Sequence, residues 1–130
     1  MTLALTLSSF GYKFGPQPDA DWVVDSRMLR NPFWEPQLRP LTGRDEAVRA
    51  YVMEQPEAVR LLDWLRDMLR WSAPLYAERG RSTLHLAIGC TGGRHRSVVL
   101  AEALAAQLTD NGMSVSVQHR DVDIPDPRDG

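Results

Sequence analysis

Residues 84–99, LHLAIGCTGGRHRSVV, decide which fold this chain is expected to adopt. The short apolar run at their start follows the polar residues 81–83 and predicts a buried strand. Apolar residues then recur at helical spacing up to Asn111-Gly112, a typical helix stop, and predict a helix. These helical positions are Val98, Ala101, Leu104, Ala105 and Leu108. A strand, a glycine-rich turn and a helix in succession indicate an α/β protein.

The turn between this strand and this helix has the composition of an anion-binding site. Its glycines, Gly89, Gly92 and Gly93, allow positive φ angles and a close approach of the backbone to a ligand. The N-terminus of the following helix favours negative charge through its unpaired N–H groups and its dipole. Hydroxyl and basic side chains add more donors than a purely structural turn needs. We expect phosphate or sulfate to be bound by Thr91, Gly92, Gly93, His95, Arg96 and Ser97.

Bulk composition narrows the class of protein. The 130 residues suffice for one domain, and a hydrophobic fraction of 43% with a mean hydropathy of −0.33 suits a soluble globular protein. A net charge of −2 argues against a general nucleic-acid binder, which normally has a basic excess. The single cysteine, Cys90, excludes an internal disulfide and fits a cytoplasmic protein. Since no apolar run has the length of a membrane span, no membrane contact is expected, and we expect neither a metal nor a cofactor.

The remaining chain predicts a single α/β domain. Three further strands are expected from alternating or short apolar runs, at residues 3–10, 22–24 and 114–118. Helices are expected after Thr42 and from Pro56, the second being interrupted at Pro74. We expect residues 1–120 to form a central, mainly parallel sheet with flanking helices. Residues 121–130 are acidic and predict a disordered tail.

The second helix has an apolar stripe that predicts its buried side. The stripe consists of Val59, Leu62, Leu65, Met68 and Leu69. Trp64 and Trp71 flank it and indicate a core or oligomer contact rather than a cofactor site.

Polar residues at strand ends leave two interpretations open. Asp25 and Arg27 follow the second strand, where α/β sheets commonly bind ligands, but they also suit a surface ion pair that stabilises little. The proline-punctuated loop 31–43 is long enough to cover a ligand. His85 is expected to be a structural histidine, and residues 119–120 to be a solvated pair.

A cysteine phosphatase is an alternative from another class of protein. Residues 90–97 match the pattern C-x-x-G-x-x-R-S, in which a thiolate at a helix N-terminus attacks phosphorus while the loop amides and the arginine hold the phosphate. In that class the residue before the cysteine is usually histidine, whereas here it is Gly89. The spacing does not select a general acid among Asp19, Asp21 and Asp25. Under this alternative Cys90 is the nucleophile; otherwise it is a small buried residue and no catalytic residue is expected.

Several motifs together resemble the C-terminal domain of the RapZ family of RNase adapter proteins. They are Ser9-Phe10-Gly11-Tyr12-Lys13, Asp19-Ala20-Asp21, Asp25-Ser26-Arg27, Asn31-Pro32, residues 38–43 and residues 88–97. The matches run in order from about Ser9 to Arg120 and so cover nearly the whole chain.

The resemblance implies both a fold and a set of partners. Full-length family members have an N-terminal P-loop ATPase half, so this chain resembles a stand-alone C-terminal domain. In the family this domain is similar to a phosphosugar-binding subdomain of phosphofructokinase, senses glucosamine-6-phosphate, presents a small regulatory RNA to a ribonuclease and self-associates. The resemblance therefore implies a homo-oligomer, with an anion pocket at Thr91, Gly92, His95 and Arg96.

Three departures from the family pattern shift the expected ligand. Phe14 and Phe33 stand where the family has histidine, which favours a nucleotide whose base stacks on an aromatic ring. The acidic residues 121–126 replace a basic run and oppose RNA binding, so RNA is expected to bind weakly. We expect non-catalytic binding of a phosphosugar or nucleotide in a regulatory role, with an RNA adapter as a further alternative. The expected pocket wall comprises Phe14, Asp25, Arg27 and Phe33.

Overall fold

Over the residues that the structure describes, the fold is a four-stranded sheet with three helices, and every strand pair is parallel. The computed structural model describes residues 3–17, 19–110 and 113–125. The strands are β1 (Ala4–Gly11), β2 (Trp22–Asp25), β3 (Thr83–Cys90) and β4 (Ser114–His119), in the order β2-β3-β1-β4. The helices are α1 (Glu46–Met53), α2 (Pro56–Glu78) and α3 (Arg96–Asp110), and short 3₁₀ turns occur at Tyr12–Phe14 and Pro32–Trp34. The prediction of an α/β domain with a mainly parallel sheet is confirmed.

The helices pack on one face of the sheet. Leu5 and Leu7 of β1 are fully buried in the core, whereas Thr6 between them faces the other way and its hydroxyl contacts Ser116 at an exposed position. α3 lies across β1, β3 and β4, and α2 packs beside α3. Side chains of opposite polarity therefore alternate along the strands, as expected of a sheet with one solvated face. None of the helices in the described ranges has the length and apolar character needed to cross a bilayer.

α2 begins where it was predicted to begin but does not end at its internal proline. Pro56 occupies the first turn, where a missing N–H is harmless. The predicted interruption at Pro74 is wrong, because the helix continues to Glu78. Pro74 removes only the hydrogen bond to the Arg70 carbonyl, and both residues are exposed, so water can solvate that carbonyl. Burial of the apolar side of α2 stabilises the helix by more than the loss of this one hydrogen bond destabilises it.

Two predicted helix features differ in detail. α1 starts at Glu46, one turn after the predicted Thr42, because the Asp45 carboxylate accepts the Thr42 amide at 2.8 Å and closes a turn before the helix. Val59, predicted to be buried, is 43% exposed. The predicted stop at 111–112 lies outside the described residues.

The ordered chain extends beyond the predicted domain boundary at residue 120. Asp121 and Val122 are only 2% and 1% exposed and pack under the C-terminal edge of the sheet. Of the predicted tail, residues 126–130 lie outside the described residues.

Parallel pairing brings the carboxyl ends of the strands to one edge. Gly11 lies opposite Cys90, and Asp25 lies opposite Gly89. In open α/β sheets this edge is where ligands bind. The predicted anion turn, residues 89–97, lies there.

Candidate functional site

The turn after β3 is pressed against the end of β1, and this contact requires glycine. Gly93 has a φ of 74°, which L side chains rarely adopt. A Cβ on Gly93 would lie 2.4 Å from the Gly11 nitrogen, and a Cβ on Gly11 would lie 2.4 Å from the Gly92 carbonyl carbon. Two stretches of backbone thus touch directly and hold the shape of the turn.

Neighbouring loops bind the carbonyls of the turn. The Thr91 oxygen accepts the Lys13 amide at 3.2 Å, and the Arg94 oxygen accepts the Gly43 amide at 2.7 Å. The amides of Thr91, Gly92 and Gly93 donate to no backbone carbonyl within the described part of the chain. Two carbonyls of the turn are thus bound by the protein, while three of its N–H groups are left beside the N-terminus of α3, as in anion-binding turns.

The predicted ligand Arg96 is mainly engaged with the protein. It is 4% exposed, and its Nη1 donates to the carbonyls of Arg27 at 3.1 Å and Leu29 at 2.9 Å. The guanidinium therefore ties the loop after β2 to the first residue of α3. Its charge also lies close enough to contribute to the lowered pKa of Asp25.

His95 has a similar positioning role. Its ring is 7% exposed, and its Nε2 lies 2.7 Å from the Leu41 carbonyl, so this nitrogen carries the proton and donates. Arg94 reaches the Val122 carbonyl at 3.3 Å. These contacts fix loop 31–43 and the C-terminal segment around the turn, a geometry that sequence spacing does not reveal.

The ion-pair interpretation of Asp25 and Arg27 is realised. Arg27 Nη2 and Nε donate to the Asp25 carboxylate at 2.7–3.1 Å, and the Arg27 guanidinium stacks 4.0 Å above the Tyr12 ring. The hydrogen bonds from Arg27 lower the pKa of the Asp25 carboxyl and those bonds raise the pKa of Arg27 in return. Burial raises the pKa of the Tyr12 phenol. Because both charged side chains are about half exposed, this stacked pair is accessible to a ligand seated on the turn.

Of the two expected aromatic walls, only Phe33 lines the crevice at the turn. Phe33 is 7% exposed, and Arg39 stacks on it at 4.5 Å. The crevice has a volume of about 10 Å³, enough for one water-sized group, and its other walls are Asn31, Cys90, Gly92, Arg94, His95 and Arg96. Phe14 is 36% exposed beside Lys13 and lies outside this crevice.

Sequence reasoning missed a latch between the C-terminal segment and β1. The buried Asp121 carboxylate accepts the Gly11 amide at 2.8 Å. Arg120, predicted to be solvated, pairs with Asp121 and donates to the carbonyls of Gly11, Gly15 and Pro16. The other member of that predicted pair, His119, bonds the Ser9 hydroxyl at 2.6 Å. The latch thus supports the end of β1 against which the turn packs. No local pattern in the sequence predicts these contacts.

Of the three candidate general acids, Asp19 and Asp21 precede β2, at the end of that strand opposite to Asp25 and the turn. Cys90 is 2% exposed, and its Sγ lies 3.1 Å from the Ser97 hydroxyl. Asp21 accepts the His85 amide and pairs with Arg81, and Asp19 accepts Gln17. His85 bonds the Ser8 hydroxyl at 2.7 Å and is structural, as predicted.

Within the described ranges, no three His, Cys, Asp or Glu side chains are grouped to hold a metal ion.

Comparison with known proteins places the chain in a family. The sequence model of the RapZ C-terminal domain matches residues 3–123. A relative from Desulforudis audaxviator (strain MP104C), named "Nucleotide-binding protein", is 52% identical over 120 residues, which are 92% of this chain and 41% of the relative. Relatives of the same name from Thermobifida fusca (strain YX) and Heliobacterium modesticaldum (strain ATCC 51547 / Ice1) are 50% and 49% identical, over 92% and 93% of this chain and 41% and 40% of their own lengths. The chain thus spans about two fifths of the curated relatives it matches. It belongs to the RapZ C-terminal domain family.

Proposed function

We propose that this domain binds a phosphorylated small molecule through its phosphoryl group at the turn 89–97, without chemical change, as a sensing or regulatory module. The supporting observation is the polarity of the turn: the carbonyls of Thr91 and Arg94 accept the Lys13 and Gly43 amides, whereas the amides of residues 91–93 donate to no backbone carbonyl in the described chain. Together with the start of α3, these amides suit an anion.

The dimensions of the site limit how a ligand sits. The crevice of about 10 Å³ admits one phosphoryl oxygen, so the remainder of the ligand lies outside it. Outside the crevice, at the end of β2, the accessible groups are the Asp25 carboxylate and the Arg27 guanidinium stacked on Tyr12. A sugar hydroxyl suits the carboxylate, and the face of a base suits the guanidinium plane.

Nucleotides and phosphosugars both remain within this proposal. The relatives are named for nucleotide binding, which favours a nucleotide, but this chain matches only 40–41% of each of them. The ligand class has therefore to be decided on this domain itself.

Calorimetric titration of the chain with inorganic phosphate, glucosamine-6-phosphate and AMP tests the proposal and ranks the ligands. We expect saturable binding of at least one, weakened several-fold in Arg27→Ala but not in Arg44→Ala, an exposed arginine whose nearest carboxylate is Asp123. A native ligand also raises the melting temperature. If none of the three ligands binds at millimolar concentration, or if both variants bind equally well, the proposal is refuted.

The Cys90 contact supports one second candidate, a cysteine phosphatase. The Ser97 hydroxyl 3.1 Å from Sγ is placed to stabilise a thiolate by hydrogen bonding. The thiolate would form an S–P bond as the P–O bond breaks, and the departing alkoxide would need a proton before water hydrolyses the phosphocysteine. Asp25, the candidate general acid at this edge, is held by Arg27. We expect no hydrolysis of para-nitrophenyl phosphate; turnover lost in a folded Cys90→Ser variant would establish the phosphatase instead.

A further inference from the structure

A groove lies between the last turns of α2 and the edge strand β2. Its volume is about 330 Å³, and it is lined by Trp22, Trp71, Ser72, Leu75, Tyr76, Glu78 and Arg79. Residues 71 to 79 span about 12 Å along the helix axis. Trp22 begins β2 and Asp25 ends it, so the groove lies at the opposite end of this strand from the turn 89–97. The groove is therefore a concave site separate from the proposed phosphate site.

Three of the lining residues are aromatic. The rings of Trp22 and Tyr76 meet edge to face, with their centroids 5.9 Å apart and an angle of 66° between their planes. Trp71 is 71% exposed, and Leu75, one turn further along α2, is 46% exposed. Since Trp64 is also 65% exposed, the predicted core role of Trp64 and Trp71 is wrong. Rings that are set at a steep angle offer both a face and an edge to a further planar ring.

The wall of the groove also contains a buried hydroxyl without a partner. Ser72 is 4% exposed, and its Oγ forms no hydrogen bond with any residue that the structure describes. Buried polar groups normally have a partner, because an unpaired one destabilises the fold. A ligand group that donates a hydrogen bond at this position would satisfy the hydroxyl.

Two charged side chains line the groove where α2 ends. Glu78 is the last residue of the helix, and Arg79 is its C-cap. Neither side chain forms an ion pair or a hydrogen bond with another described residue. By contrast, Arg81, whose guanidinium lies 5.5 Å from the Tyr76 ring, pairs with Asp21 at 2.9 Å. One acid and one base are thus available at the end of an apolar groove, which is complementary to a ligand that carries both charges.

We propose that this groove binds a free aromatic amino acid whose ring has a hydrogen-bond donor, as in tyrosine or tryptophan. The ring packs against Trp22 and Trp71. Its donor meets the Ser72 hydroxyl, because a phenol O–H or an indole N–H needs a partner when it is buried. The carboxylate pairs with Arg79 and the ammonium with Glu78. A residue inside a peptide presents neither charge, and a volume of about 330 Å³ is at the small end of the range for ligand pockets.

The four tryptophans of the chain allow a direct test by nuclear magnetic resonance. Each indole N–H gives one signal in a nitrogen–proton correlation spectrum, and single Trp→Phe substitutions assign them. We expect L-tyrosine, added to about 2 mM, to shift the signals of Trp22 and Trp71 saturably. Trp34 and Trp64 are internal controls, because they are 69% and 65% exposed and lie outside the groove.

Two results of this titration would overturn the proposal. The first is that L-tyrosine shifts none of the four signals, or shifts all four alike. The second is that the signals of Trp22 and Trp71 follow the protein concentration and not the ligand, which would assign the groove to a second copy of the chain.

Ser72→Ala tests the role of the hydroxyl. The substitution should weaken L-tyrosine about two- to tenfold and leave L-phenylalanine unchanged, because phenylalanine has no ring donor. Since the hydroxyl is unpaired in the free protein, the melting temperature should not fall. Equal affinities of Ser72→Ala and the unmodified chain for L-tyrosine would refute the assigned contact.

Analogues of tyrosine that lack one charge test the two ends of the ligand. Arg79→Ala should weaken L-tyrosine about two- to fivefold but not tyramine, which has no carboxylate. Glu78→Gln should likewise weaken L-tyrosine but not its desamino analogue, which has no ammonium. Arg60→Ala is the matched control, because this exposed arginine of α2 stacks on Trp64 outside the groove. Tyramine that binds as tightly as L-tyrosine would overturn the assignment to an amino acid.

Discussion

Replacing Gly93 with alanine should destabilise the domain for two separable reasons. The positive φ of 74° adds roughly 1–2 kcal/mol for an L residue. The new Cβ would also lie 2.4 Å from the Gly11 nitrogen, where backbone rather than a flexible side chain must move. Overpacking of this kind adds roughly 1–3 kcal/mol. We expect the free energy of unfolding to fall by about 2–5 kcal/mol in total.

Gly80→Ala is the matched control for the backbone term. Gly80 has a φ of 90°, yet a Cβ there meets no atom within 4 Å. The free energy of unfolding of the Gly80→Ala variant should fall only by the roughly 1–2 kcal/mol that a positive φ adds for an L residue. Urea unfolding of both variants at pH 7, followed by circular dichroism, measures the difference. If Gly93→Ala is no less stable than Gly80→Ala, the close contact between the turn and β1 is not a constraint, and the account of the site is wrong.

Three further predictions concern the latch, pH and RNA. Asp121→Ala removes the buried acceptor of the Gly11 amide and should lower the free energy of unfolding by about 2–4 kcal/mol in urea, against under about 0.5 kcal/mol for the exposed Asp123→Ala. Because Arg27 lowers the pKa of Asp25, folding favours the ionised carboxylate. The contribution of this pair to the free energy of unfolding is complete above the pKa of the unfolded chain, about 4, and is lost as the pH falls through the lower pKa of the folded protein. In urea melts from pH 7 to 3, Asp25→Asn should reduce the acid-induced loss of stability by no more than about 1 kcal/mol, since the pair is half exposed; an unchanged pH dependence would contradict the pairing. With a net charge of −2, the chain should bind a structured hairpin RNA only at ~10⁻⁴–10⁻⁶ M at physiological salt, and saturable nanomolar binding in a gel-shift titration would restore the adapter role.

The central strand, turn and helix can be predicted from the amino-acid sequence, because their signals are local. The apolar run of β3, the glycines and the helical spacing after residue 96 all lie within one continuous stretch. The parallel sheet followed from the same kind of pattern. The interruption at Pro74 was predicted wrongly because a local rule ignores the burial of the rest of α2, which keeps the helix intact.

The hydrogen-bond partners of the predicted donors depend on the three-dimensional packing and not on any local pattern. The positions of Arg96 and His95 predict anion ligands, but these side chains bond the carbonyls of Leu29 and Leu41, which are 67 and 54 residues away in the chain. Asp121 supports Gly11 across 110 residues. Side-chain partners at such separations depend on how strands and loops meet at the sheet edge. The pattern of residues along a sequence specifies which face is buried, whereas the pairing of polar groups is set by packing in three dimensions.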